Sequence, residues 1–85
     1  MNTTPTAEDF SKEIERLIAI ARDEGKSFIE LVSADIHKNV GGYPSRNHRM
    51  ATCCTIMYSL MNSRDEIISA PPKGKGASLK IRYYL

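Results

Sequence analysis

The stretch Asn47-His48-Arg49-Met50-Ala51-Thr52-Cys53-Cys54-Thr55-Ile56-Met57-Tyr58-Ser59-Leu60-Met61-Asn62 decides how this chain is read. Met50, Cys53, Cys54, Met57, Leu60 and Met61 recur at the i, i+3, i+4, i+7 spacing of a buried helical stripe. His48, Thr52, Thr55, Ser59 and Asn62 fall on the opposite side of the same helix. That side is small, polar and uncharged, apart from Arg46 and Arg49 at its start. A helix kept soluble by its surface usually carries Lys–Glu pairs. Short hydroxyl and amide side chains behind a basic first turn suit a helix pressed against something, as in DNA-reading helices, whose first turns face base edges and phosphates. The competing reading is a buried middle helix whose short polar side chains admit close neighbours.

Upstream of this helix, the residues from Gly42 to Arg46 hold glycine and proline, so they predict a loop. Before it, Ser33 to Val40 predicts two helical turns, with Ser33 as the cap, Asp35 in the first turn, Ile36 and Val40 facing inward, and Gly41-Gly42 as the stop. Ser27 to Val32 is short, β-branched and aromatic, hence a strand. A first helix spans about residues 7–24. Thr6 caps it with Asp9 three residues on, Phe10, Ile14, Leu17, Ile18 and Ala21 form its apolar face, and Gly25 ends it. Downstream, Asp65 to Ala70 reads as a strand, and the run from Pro71 to Gly76 breaks it. From Ser78 to Leu85 the pattern alternates, with Leu79, Ile81, Tyr83 and Leu85 on one face, which is a half-buried hairpin strand. The expected core is Phe10, Ile14, Leu17, Ile18, Leu31, Ile36, Val40, Met50, Met57, Leu60, Leu79 and Ile81.

At 85 residues, with 41% apolar and 26% charged, the chain has room for one core, so a single domain is expected over residues 7–85 behind a disordered stretch 1–6. No apolar run approaches a membrane span, and the first residues lack a secretory pattern, so a soluble cytoplasmic protein without a membrane partner is expected. Cys53 and Cys54 are adjacent and cannot close an ordinary disulfide within a helix, which agrees with a reducing compartment. Residues 1–32 hold seven acids and four bases, whereas residues 33–85 hold three acids and eight bases. One side of the molecule is therefore expected to be positive and suited to phosphates.

Three groups of residues bear on chemistry. Ser45-Arg46-Asn47-His48-Arg49 opens the main helix, where free N–H groups, the helix dipole and two guanidiniums make an anion site. Arg can also read guanine and Asn adenine. Lys73 and Lys75 are separated by a glycine, so the backbone can approach a phosphate that the lysines neutralise. The alternative for these lysines is a soluble hairpin tip. His37, His48, Cys53 and Cys54 are the candidate metal ligands, but adjacent cysteines diverge on a helix and no Cys-x-x-Cys pair occurs, so no metal and no cofactor is expected. A Cys54–His48 nucleophile pair is disfavoured by the place of Cys54 on the core face, and no enzyme is expected.

The order helix, strand, short helix, loop, longer helix and two-stranded hairpin with a basic Gly/Pro tip resembles the winged helix-turn-helix family. The likeness covers roughly residues 7–85 and rests on element order and charge placement. It implies an α+β fold in the order α-β-α-α-β-β, with double-stranded DNA as the partner of a regulator or DNA-reading component. By position, the main helix would enter the major groove, and Lys73, Lys75 and Lys80 would lie in the wing. The DNA-contacting set is then Ser45, Arg46, Asn47, His48, Arg49, Thr52, Thr55, Lys73, Lys75 and Lys80. The loop over residues 41–46 departs from the family pattern, being longer than a tight helix-turn-helix turn. A reading from another class is a module for protein–protein contact, docking through the apolar C-terminal strand or the Ile56/Tyr58 side of the main helix; a homodimer would instead use the long first helix.

Overall fold

The computed structural model describes residues 5–41 and 48–85. The described residues form an α+β fold of three helices and one three-stranded antiparallel sheet. The elements are α1 (Ala7–Asp23), β1 (Phe28–Val32), α2 (Ser33–Val40), α3 (Met50–Ser59), β2 (Glu66–Ser69) and β3 (Lys80–Tyr84). Among the described residues, no helix is long and apolar enough to cross a membrane.

The first helix starts on a reciprocal cap. The Thr6 amide donates to Asp9 Oδ2 at 2.8 Å and the Asp9 amide donates to Thr6 Oγ1 at 3.3 Å, so two N–H groups left free by the helix start are satisfied. Pro5 is buried beside this cap. Phe10, Ile14 and Ala21 are buried, and Leu17 and Ile18 pack at the margin of the core. Glu24 caps the other end, and Gly25 follows at φ 78°, a conformation that favours glycine.

The second helix follows β1 with no connecting residue, and its start differs from the expectation. Ser33 is not the cap. The cap position falls on Val32, whose side chain makes no capping bond, and the Ser33 side chain is fully buried. The reason is that another segment supplies the acceptors. The Ser33 amide donates to Leu79 O at 2.9 Å and the Ala34 amide to Ala77 O at 3.2 Å, which leaves the hydroxyl to donate to Gly76 O at 2.5 Å.

Helix α3 is shorter than its apolar stripe. It begins at Met50 and ends at Ser59 rather than Asn62. His48 and Arg49 precede it, because the Arg49 amide is taken by a side chain of α2 and Arg49 sits at φ −120°, ψ 51°. At the other end the Leu60 amide bonds Ile56 O and the Met61 amide bonds Tyr58 O, a tightened last turn. The Asn62 amide then donates to Asp65 Oδ2 at 2.8 Å.

Strand β3 is the centre of the sheet, in the order β1-β3-β2. Leu31 pairs with Ile81, and Ile67 pairs with Ile81 from the other side. A shift between Ile67 and Ser69 makes β2 irregular. The expected alternation holds: Leu79, Ile81 and Tyr83 are buried against the helices, and Lys80, Arg82 and Tyr84 face outward. Together with Phe10, Ile14, Leu31, Ile36, Met50, Cys53, Cys54 and Met57 these inward residues make one core. Val40 and Leu60, expected inside, are only partly covered, while Tyr83 and His37 are buried and were absent from the expected core.

Candidate nucleic-acid interface

The face of α3 opposite its buried stripe is open. Thr55 and Ser59 are exposed and Thr52 is half-buried. Thr55 Oγ1 donates to Ala51 O at 2.9 Å, and Ser59 Oγ donates to Ile56 O at 2.8 Å. Both hydroxyl protons are thus used within the helix, while the oxygens keep lone pairs toward solvent. His48 and Arg49 are exposed at the entrance of this face. Asn62 lies beyond the last turn, not on the helix.

Two connections place this helix. His37, on the inward side of α2, is fully buried and packs edge-on against Phe10 with ring centroids 4.9 Å apart. The Arg49 amide donates to His37 Nε2 at 2.8 Å, and His37 Nδ1 lies 3.1 Å from Gly41 O. An amide can only donate and a carbonyl can only accept, so these two contacts match an imidazole with its proton on Nδ1. The ring ties the end of α2 to the start of α3. At the other end of α3, the buried Tyr83 hydroxyl donates to Met57 O at 2.8 Å, so a carbonyl near the helix end has a partner.

The β2–β3 connection, residues 70–79, lies against the same helix. Gly76 is its main attachment. Its carbonyl accepts from Ser33 Oγ and, at 3.2 Å, from Cys54 Sγ, and its amide donates to Cys54 Sγ at 3.3 Å. A Cβ at Gly76 would sit 3.1 Å from Pro71 Cγ, tighter than ordinary packing. Nearer the tip, the Gly74 amide closes a turn onto Pro71 O at 2.8 Å, and Tyr58 donates its hydroxyl proton to Gly74 O. Between this connection and α3 runs a groove lined by His48, Met50, Ala51, Lys75, Gly76 and Ala77. Lys73 and Lys75 are exposed.

Among the described residues, no ion pair engages Arg49, Lys73 or Lys75. Lys80 is different. It lies in β3 on the outward face of the sheet, 3.6 Å from Glu30 Oε1, and is not gathered with the other cations of the set. The structure thus brings His48, Arg49, Thr52, Thr55 and the Lys73–Lys75 tip to the α3 side, and leaves Lys80 elsewhere. Ser45, Arg46 and Asn47 lie outside the described residues. Tyr58 and His37 were missed as residues that build the site. The signal for His37 was present, since Ser33, Ile36, His37 and Val40 share one helical face.

The two cysteines point at different carbonyls. Cys54 reaches Gly76, and Cys53 Sγ donates to Ser33 O at 3.6 Å. Burial pushes the Cys53 thiol up to about 12, with Cys54 adding a smaller push. The described residues contain no cluster of three or more His, Cys, Asp or Glu placed to hold a metal ion. Comparison with family models, with curated proteins and with solved structures found no match to this chain.

Proposed function

We propose that this chain is a winged-helix module that binds double-stranded DNA, with α3 entering the major groove and the residue 70–79 connection serving as the wing. The observation that carries the reading is the open, uncharged polar face of α3, bordered by a groove to which Lys75 contributes. Arg49, Lys73 and Lys75, with no ion pair among the described residues, are what a phosphate would find there, and short hydroxyl side chains allow a helix to approach base edges closely. The sheet order β1-β3-β2 is consistent with a winged-helix arrangement, since the strand before α2 joins the hairpin.

A salt titration against random-sequence duplex tests it. Log affinity should fall linearly with log salt, by roughly 0.9 per phosphate contact. Lys73→Ala combined with Lys75→Ala should weaken all duplexes alike and lower that slope by about one to two units. No duplex binding at low salt would end the reading.

A protein-contact module is the second reading, and one observation favours it. Ile67 and Ile68 on edge strand β2 are 48% and 41% exposed. The surfaces first expected for such docking are less suited. Strand β3 has neighbours on both sides, and Ile56 and Tyr58 pack against the core.

A further inference from the structure

We infer that Tyr58 is a positioning residue for duplex binding, holding Lys73 and Lys75 at a set offset from the face of α3; this rests on the duplex reading above. Tyr58 is partly exposed, and its ring packs beside the core while its hydroxyl reaches out to the carbonyl of Gly74. Gly74 stands between the two lysines. It adopts φ 83°, a conformation in which a side chain would be strained, and its amide closes the turn onto Pro71. The loop is therefore fastened at two levels. Gly76 is fixed at its base by Ser33 and Cys54, and Gly74 is fixed at its tip by Tyr58.

The base attachments act at Gly76, which follows Lys75 and stands three residues from Lys73. The tip attachment constrains both. A duplex presents phosphates at fixed spacing, so cations held at a fixed offset avoid an ordering cost on binding. A single strand bends to meet cations wherever they are, so the same restraint gains it little. Tyr58 thus favours duplex over single strand without touching either.

The test is Tyr58→Phe, which removes one oxygen and keeps the ring. Duplex affinity should fall about three- to tenfold, the loss expected when one or two long side chains must be ordered on binding. Affinity for an oligothymidine single strand should stay within about twofold, with circular dichroism confirming the fold. In a Lys73→Ala, Lys75→Ala background, Tyr58→Phe should have no further effect on duplex binding, because Tyr58 acts only through those lysines. A loss of general packing would persist in that background. Unchanged duplex affinity in Tyr58→Phe, equal losses on duplex and single strand, or an undiminished effect without the lysines would each overturn the inference. These outcomes leave duplex binding by the wild type intact, whereas failure of the wild type to bind duplex removes both readings together.

Discussion

Tyr83→Phe isolates one buried hydrogen bond. Tyr83 is 2% exposed, and its hydroxyl donates to Met57 O at 2.8 Å. The substitution keeps the ring in the core and deletes only the oxygen. Met57 O lies in the last turns of α3, where carbonyls lose their intrahelical partners, and the surrounding core residues are apolar. Leaving such an acceptor without a donor costs about 1–3 kcal/mol. In a domain of this size each kcal/mol moves the melting temperature by roughly 4–8 °C, so the variant should melt about 5–20 °C below the wild type. Burial pushes the Tyr83 phenol well above its usual range, with nearby Asp65 adding to the shift, so the hydroxyl remains a donor across neutral pH. The assay is thermal unfolding followed by far-ultraviolet circular dichroism at pH 7. A shift below about 1 °C would mean that water or another donor reaches Met57 O, and that Tyr83 contributes only its ring.

Three further outcomes follow from the core and the sheet. Met57→Ala, at a fully buried site, should cost about 2–5 kcal/mol by chemical denaturation, and a negligible change would mean that α3 is rotated about its axis. Cys53, buried and with its thiol pushed up to about 12, should not react with a disulfide reagent at pH 8 until denaturant opens the fold; rapid labelling of the native protein would refute its place in the core. Glu30 is held below its ordinary value of 4.5, mainly by the hydrogen bond from Arg82, so its contribution is present above that value and lost as pH falls through the lower folded one. The melting temperature should therefore drop below about pH 4.5, and Glu30→Gln should flatten that drop; an unchanged acid limb would remove the Arg82–Glu30 pair from the account.

Much of the fold was legible because periodicity reports burial. The stripe on α1 and the alternation Leu79, Ile81, Tyr83 each came from residues whose spacing matches the repeat of their element. The same logic gave the rotation of α3 correctly, since Met50, Cys53, Cys54 and Met57 are the buried set. Its length was another matter. The stripe continues through Leu60 and Met61, yet the helix stops at Ser59. Apolar residues can stay on one side of a chain after it leaves the helix, so periodicity marks the face better than the end. The end is set by hydrogen bonds, here those of the Leu60 and Met61 amides with Ile56 O and Tyr58 O.

The candidate site divides along the same line. The exposed polar face of α3 could be read from spacing, because it is what remains once the stripe is subtracted. The attachments that give the face its setting could not. His37 to Arg49, Ser33 and Cys54 to Gly76, and Tyr58 to Gly74 are each a side chain meeting a backbone group 12 to 43 residues away. A backbone amide or carbonyl has the same chemistry at every residue, so nothing in the sequence of the partner announces such a bond. Ser33 illustrates the point. Its position suited a helix cap, and local rules favoured that role, but the carbonyls of Leu79 and Ala77 already meet the first amides of α2. With those donors satisfied, the hydroxyl gains more by reaching Gly76 than by turning back on its own helix. The same segment that makes Ser33 unnecessary as a cap carries Lys75, so fastening residues 76–79 to α2 also fixes the base of the loop that borders the face of α3.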